Sequence, residues 1–372
     1  MYIPRYTITT QILKDIGAIE AAREVIENAP LVPAYEAKFR DEAKLKAAHY
    51  GTALEGNDLT EGEARLIMDR GVGSVDEAES VGIMARARDV QEVINYRNVL
   101  EFINRTPSLG KTPEEQEAAL TYTKEILCDI HKLVVDRIVP KEETGIYRKS
   151  QVVLRNSITR EIGFRPPSAL EVPFLMDDFF KWINSDYGRK EHSILRAGIT
   201  HYVLAAVHPF VEGNGRTARA MATMVLFAEG YDIKRFFALE EYFDKHASDY
   251  FGALMEVSNQ ANKLEERDLT PWLSVFTRAL AAELVRIKET VRELSVDIKI
   301  KEKTGKQVTL SERQMKIVEY LNANGEITMA GARGILAMVS EDTILRDFKF
   351  LMSRGVLSKR GSTKAAKYIL KR

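Results

Sequence analysis

Apolar residues recur every three or four positions along most of this 372-residue chain, which is the pattern of amphipathic helices. The predicted helices cover Thr10–Asn28, Ala34–His49, Leu59–Met68, Asp76–Arg105, Pro113–Val135, Phe174–Asn184, His192–Val207, Arg216–Glu229, Leu239–Tyr250, Phe251–Asn262 and Pro271–Leu294. The pattern therefore indicates a mainly α protein.

Helical periodicity is lost between Gly145 and Pro173, where β-branched residues precede the pair Pro166-Pro167. Two short strands, about Gln151–Leu154 and Glu161–Phe164, are predicted in this stretch as a β-hairpin. An ordinary surface hairpin is the alternative to a functional one.

The C-terminal part has a different order of elements. Helices are predicted over Ser311–Leu321, Thr328–Leu336 and Ser340–Arg354, followed by two strands that meet at a tip near Gly361. Three helices and a two-stranded hairpin are the order of a winged-helix domain, which often binds DNA. The final 22 residues hold seven Lys and Arg and no acid, as contact with DNA phosphates requires. Contact with another protein remains the alternative.

Charge is unevenly distributed although the formal net charge is zero. Residues 301–372 hold 15 Lys and Arg against 7 Asp and Glu, so this part carries +8 and the remainder −8. Cys128 is the only cysteine, which excludes an intrachain disulfide. The sequence shows no signal-peptide pattern and no apolar run of about 18 residues, so we expect no membrane contact and a cytoplasmic location.

The stretch His208–Arg219 reads HPFVEGNGRTAR and joins two predicted helices. Gly213 and Gly215 allow backbone conformations in which amide N–H groups converge. Arg216 and Arg219 project from one face of the first helical turn, where their guanidinium groups can bind phosphate oxygens. The loop is therefore predicted to hold phosphates.

Two further residues of this stretch indicate chemistry. Glu212 offers a hard oxygen ligand beside the phosphates, which favours Mg²⁺. His208 ends the preceding helix and can act as a general base near neutral pH.

This stretch resembles the signature HPFx[DE]GNGRxxR of Fic proteins (filamentation induced by cAMP), and every specified position matches. The resemblance implies a Fic helical core with a β-hairpin flap that aligns a target segment. It also implies transfer of AMP from ATP to a Ser, Thr or Tyr hydroxyl of a target protein. His208 would be the catalytic base and Glu212 the Mg²⁺ ligand. The implied ATP-binding residues are Gly213, Asn214, Gly215, Arg216, Arg219 and, at the adenine, Tyr242.

Fic proteins that carry their own inhibitor have the pattern [ST]xxxE[GN] in an N-terminal helix, and Glu55-Gly56 resembles its end. The implied inhibitory helix covers about residues 40–57, with Glu55 paired to Arg219 in the place of the γ-phosphate. The pattern fails at Gly51, which stands where Ser or Thr is expected, and Thr52 is a candidate substitute.

The predicted domains are an N-terminal helical region (1–110), a Fic catalytic core (111–295), a linker (296–307) and a winged-helix domain (308–372). Expected partners are ATP, a target protein hydroxyl and DNA, and a homodimer is left open. Alternatives are another donor such as UTP, GTP or CDP-choline, removal of AMP from a modified target, and a DNA-binding regulator whose Fic site only senses nucleotide.

Overall fold

The computed structural model describes residues 1–31, 33–105, 120–155, 162–295, 310–336, 339–361 and 366–371. The chain forms two compact units, Met1–Arg23 with Arg40–Val285 and Glu24–Phe39 with Arg286–Arg372. The predicted linker 296–307 lies outside the described residues. The predicted domain boundaries stay predictions.

Helices dominate the chain up to residue 295, as predicted. They are α1 (Thr10–Asn28), α2 (Pro33–Ala53), α3 (Glu61–Arg70), α4 (Val75–Ser80), α5 (Ala87–Asn104), α6 (Lys124–Val134), α7 (Val172–Asn184), α8 (Asp186–Lys190), α9 (Ser193–Val207), α10 (Asn214–Ala228), α11 (Leu239–Lys245), α12 (Ala247–Ser258) and α13 (Thr270–Leu294). Short 3₁₀ turns lie at Lys141–Glu143, Ile233–Arg235 and Leu264–Glu266.

Local capping explains where several helices begin. Thr60 accepts a hydrogen bond from the Glu63 amide, while the Glu63 side chain accepts from the Thr60 amide, so a capping box begins α3. The helix predicted over Pro113–Val135 begins at Lys124 among the described residues, which leave out 106–119, and the break predicted after Tyr250 lies at His246. The prediction Asp76–Arg105 was also wrong, because this range is two helices, α4 and α5. Gly82 has φ +90°, a left-handed conformation that ends α4 and redirects the chain.

Helices α9 and α10 pack against each other at the centre of the larger unit. Nearly every side chain of α9 is buried, so the helix is enclosed on all faces. Gly198 on α9 permits close approach of α13, because a side-chain carbon there would lie 2.8 Å from Leu273. The Trp272 indole N–H donates to the Gly198 carbonyl oxygen at 2.7 Å and fixes this contact.

The predicted β-hairpin is present as β1 (Leu154–Arg155) and β2 (Ile162–Phe164). The two strands are antiparallel, with Leu154 opposite Phe164 and Arg155 opposite Ile162. Residues 156–161 lie outside the described residues.

The C-terminal part contains α14 (Glu312–Asn324), β3 (Glu326–Thr328), α15 (Met329–Ile335), α16 (Glu341–Ser353), β4 (Leu357–Arg360) and β5 (Lys367–Leu370). The strands form an antiparallel sheet in the order β3-β5-β4. The three helices and the β4–β5 pair match the predicted order, whereas β3 was not predicted. Phe348 of α16 stacks on Tyr368 of β5 with ring centroids 4.0 Å apart, inside a buried apolar cluster. The winged-helix assignment stays a prediction.

Within the described ranges, no helix combines the length and the apolar character needed to span a membrane.

Candidate active site

The loop between α9 and α10 depends on two residues with left-handed backbone. His208 ends α9 with φ 52° and ψ 61°, and its amide donates to the Leu204 carbonyl oxygen at 3.0 Å. Gly213 caps α10 with φ 73°, and a side-chain carbon there would lie 2.7 Å from Val135. Only glycine fits at this position, because both the backbone conformation and the neighbouring helix exclude a side chain.

Asn214 braces the loop. Its Nδ2 donates to the Phe210 carbonyl oxygen and its Oδ1 accepts from the Phe210 amide, both at 2.9 Å. The residue is buried, so the two bonds satisfy a polar side chain that has lost its contact with water. The phosphate contact predicted for Asn214 stays a prediction. In the structure its side-chain amide is hydrogen-bonded to the backbone of Phe210.

His208 is held as a neutral base. Its Nδ1 lies 3.2 Å from the Ala205 carbonyl oxygen, which can only accept, so the proton is on Nδ1 and Nε2 carries the lone pair. Burial lowers the pKa of His208 to about 4, with a smaller lowering effect from the Arg148 charge. The imidazole is therefore neutral at pH 7 and able to accept a proton.

Arg148 supports the backbone around this histidine. Its Nε donates to the His208 carbonyl oxygen at 2.8 Å, and its Nη2 donates to the Pro167 carbonyl oxygen at 2.6 Å. The side chain is buried, so these charge-assisted bonds tie the base of the hairpin to the loop.

His131 of α6 supports the other end of the loop, as a structural rather than a catalytic residue. Nε2 donates to the Glu212 carbonyl oxygen at 3.0 Å, and Nδ1 accepts from the Gly145 amide at 2.9 Å. The ring stacks on Phe210 with centroids 3.7 Å apart. Burial lowers the pKa of His131 to about 4, so its bonding pattern is that of the neutral ring.

Glu55 lies against both arginines of the loop. Its carboxylate accepts from Arg216 Nε at 2.7 Å and from Arg219 Nη2 at 2.9 Å. Both guanidinium groups are buried, whereas the Glu55 side chain is 24% exposed. Burial opposes ionisation of Glu55, but the two arginine charges outweigh it and hold the pKa of the carboxyl below its usual range. The sequence predicted pairing with Arg219 alone; the structure adds Arg216.

The end of α2 is fitted closely to the loop. The Gly51 carbonyl oxygen accepts from Arg219 Nη2 at 2.7 Å. A side-chain carbon at Gly51 would lie 3.0 Å from the Tyr96 ring, and one at Gly215 would lie 2.5 Å from Glu55 Oε1. Glycine at both positions thus allows the helix, the ring and the carboxylate to approach.

Thr52 does not supply the hydroxyl contact suggested by its position beside Gly51. Its Oγ1 donates to the carbonyl oxygens of Ala48 and His49, at 3.0 Å and 2.9 Å, within its own helix. The hydroxyl is buried and used locally, as is common for threonine near a helix end.

Helix α5 contributes two residues that sequence reasoning missed. Glu92 Oε1 lies 3.2 Å from Arg216 Nη1, and Arg88 Nη2 donates to Glu212 Oε1 at 2.9 Å. In the sequence, the i, i+4 spacing of Arg88 and Glu92 indicates only a solvated ion pair. Their contacts with the loop were missed because they form only when the folded chain brings α5 to the loop.

The aromatic residue that reaches Arg219 is Tyr250. Its hydroxyl lies 3.4 Å from Arg219 Nη1 and 3.1 Å from His201 Nε2. Tyr242 instead stacks on His246 with ring centroids 4.1 Å apart. The adenine contact assigned to Tyr242 stays a prediction.

Glu212 suits the role of a Mg²⁺ ligand. Its side chain is 36% exposed, and its ion pairs with Arg88 and Arg216 are both made by Oε1. No cluster of three or more His, Cys, Asp or Glu able to hold a metal occurs in the part of the chain that the structure describes. A single carboxylate that acts together with substrate phosphates is the usual way in which proteins bind Mg²⁺.

A family model described as the Fic/DOC family matches residues 120–226, which include α9, the loop and most of α10. The chain contains a Fic domain. Curated relatives named protein adenylyltransferase Fic are 26% identical in Drosophila ananassae and 28% identical in Drosophila melanogaster, each over 198 residues. The match covers 52% of this chain and about a third (34%) of the length of these relatives.

Solved structures show the same fold around the Fic domain. A Fic family protein from Desulfovibrio desulfuricans G20 has a TM-score of 0.63 at 21% identity, covering 99% of this chain and 98% of that one. Fic-1 from C. elegans has a TM-score of 0.54 at 21% identity, covering 76% of this chain and 72% of that one. The predicted Fic core with a small antiparallel hairpin is confirmed.

Proposed function

We propose that this protein is an adenylyltransferase that moves AMP from ATP to a Ser, Thr or Tyr hydroxyl of a target protein. The observation that carries the proposal is the neutral His208 beside a loop with two buried arginines, Arg216 and Arg219. A base with a free lone pair and a cationic cradle are the two requirements of nucleotidyl transfer. The curated relatives carry the name of this activity.

In the proposed reaction the hydroxyl oxygen of the target attacks the α-phosphorus of ATP. A new oxygen–phosphorus bond forms, the bond from the α-phosphorus to the bridging oxygen breaks, and pyrophosphate leaves. His208 Nε2 accepts the hydroxyl proton, while Nδ1 donates to the Ala205 carbonyl oxygen and keeps the ring oriented.

The cationic side of the loop would hold the phosphates. Arg216 and Arg219 lie on the first turn of α10, so their guanidinium groups and the helix N-terminus favour anions in the same place. Mg²⁺ held by Glu212 and the phosphates would neutralise charge on the leaving pyrophosphate.

Glu55 makes the proposed enzyme autoinhibited. Its carboxylate occupies both guanidinium groups that ATP needs, so the nucleotide and α2 compete for the same donors. Only a minor conformation, in which Glu55 has left the arginines, can then bind ATP. The apparent ATP affinity is the intrinsic affinity reduced in proportion to the fraction of molecules in this conformation.

A second proposal concerns DNA. Lys359 and Arg360 are exposed on β4, within a C-terminal segment rich in positive charge. These charges favour the predicted contact with DNA phosphates. The homodimer and the cytoplasmic location stay predictions.

Labelled ATP tests the activity. Glu55→Gly protein incubated with cell lysate should transfer label from ATP labelled at the α-phosphate and none from ATP labelled at the γ-phosphate. Adding His208→Ala should reduce transfer about 10²- to 10⁴-fold, because the general base is lost, while ATP binding persists.

A matched histidine serves as control: His192→Asn, at the opposite end of α9, should leave transfer unchanged. Transfer of the γ label, or undiminished transfer without His208, would remove the proposal. Labelled UTP, GTP and CDP-choline in parallel reactions decide between donors. Loss of label from a modified target would support removal of AMP.

A further inference from the structure

Arg88, at the start of α5, spans two carboxylates. Its Nη2 donates to Glu212 Oε1 at 2.9 Å, and its Nε donates to Glu92 Oε1 at 3.1 Å. The side chain is 54% exposed, so it lies at the edge of the site and not in its core.

The carboxylate that Arg88 contacts already has a cationic partner. Arg216 Nη2 lies 3.3 Å from the same Glu212 Oε1. Glu212 therefore has two guanidinium groups at one oxygen, although both of them also pair with Glu92. A divalent cation approaching Glu212 meets these two positive charges at close range.

The other partner of Arg88 does not depend on it. Glu92 also pairs with Arg216 Nη1 at 3.2 Å and accepts from Asn57 Nδ2 at 2.9 Å. If Arg88 moved into solvent, the buried Glu92 carboxylate would keep its hydrogen bond from Asn57 and its ion pair with Arg216. The cost of releasing Arg88 is therefore that of a partly exposed ion pair, which is small.

We propose that Arg88 is a positioning residue that opposes divalent-cation binding at Glu212 and acts as a second restraint on the site beside Glu55. The inference rests on the proposed function. Glu55 withholds the arginines from the phosphates, whereas Arg88 withholds the carboxylate from the cation. Glu55 contacts Arg216 and Arg219, whereas Arg88 contacts Glu212, so each contact can be removed by its own substitution.

Cation affinity in a protein that binds ATP without turnover tests this proposal. The background is Glu55→Gly with His208→Ala, and bound Mn²⁺ is measured by electron paramagnetic resonance with ATP present. Arg88→Gln should lower the Mn²⁺ dissociation constant about threefold, the effect of removing one partly exposed charge contact. Arg88→Lys keeps the charge and should restore much of the original value.

Arg137 provides the matched control, because Arg88 and Arg137 line one surface cavity but Arg137 pairs with Asp136, at 3.7 Å. Arg137→Gln should leave the Mn²⁺ constant unchanged. If the Mn²⁺ dissociation constant of Arg88→Gln equals that of Arg137→Gln, or is higher than that of the background, the inference is overturned and the proposed function stays intact. Absence of Mn²⁺ and ATP binding from every variant would overturn both.

Discussion

Two histidines of the site are neutral for the same physical reason and have different tasks. Burial lowers the pKa of both His208 and His131 to about 4. The role of His208 could be predicted from the loop sequence, because it lies in the same short stretch as the residues predicted to bind phosphate. The contacts of His131 could not, because they exist only when α6 packs under a loop about 80 residues away in sequence.

The buried His131 makes stability depend on pH. Its pKa is lower in the folded chain than the ordinary 6.5, so between pH 6.5 and 4 the unfolded chain binds more protons. The contribution of neutral His131 to the free energy of unfolding is complete above pH 6.5. It is lost as pH falls toward 4, and the loss is at most about 3 kcal/mol.

His131→Asn removes this proton while the amide oxygen can still accept from Gly145. The thermal midpoint of the wild type should therefore fall more steeply between pH 6.5 and 4.5 than that of the variant. Parallel curves for the two proteins would show that His131 does not titrate as described.

Among the helices, those with a clear capping signal were predicted best. Thr60 and Ser311, which are residue types typical of helix N-caps, begin α3 and α14 with capping boxes, and both helices were predicted. The break at Gly82 was missed, since apolar periodicity continues on both sides of it. Strand β3 was missed because a three-residue strand is defined by its pairing with β5 and not by its own pattern.

The proposed inhibition depends on the position of α2. Gly51→Ser would restore the hydroxyl of the family pattern, yet its side chain would meet Tyr96 at 3.0 Å and Glu240 at 3.2 Å. Tyr96 donates to Glu240 at 2.7 Å, and both are buried, so neither can easily move. We expect α2 to shift, the Glu55 contacts to weaken and ATP to bind more tightly than to the wild type.

Gly17→Ala in α1 is the matched control, because among the described residues no atom outside the backbone of α1 lies within 4 Å of the added carbon. This change should leave ATP affinity unchanged and stabilise the helix by about 0.5 to 1 kcal/mol. ATP affinity is measured by calorimetry and stability by thermal unfolding. If Gly51→Ser equals the wild type in both, the packing argument is contradicted.

At the scale of the whole molecule, the site unites segments that are distant in sequence. Glu55 and Arg219 are 164 residues apart, and both belong to the larger compact unit. The loop could be predicted because its chemistry is continuous in the sequence. The Glu55 contact followed only from a resemblance, since a glutamate at a helix end is ordinary. The contacts of Arg88 with Glu212 and of Glu92 with Arg216 could not be predicted. In the sequence, Arg88 and Glu92 have the spacing of an ordinary ion pair on the surface of a helix.

The affinity of ATP with and without Glu55 tests the central claim most directly. Both proteins carry His208→Ala, so that calorimetry with Mg²⁺ reports binding and no turnover. Charge-assisted hydrogen bonds contribute about 1.5 to 3 kcal/mol each, so Glu55→Gly should tighten ATP binding at least about tenfold. Glu55→Gln, which keeps the length and loses the charge, should lie between the two. Equal ATP affinity with and without Glu55 would contradict the account.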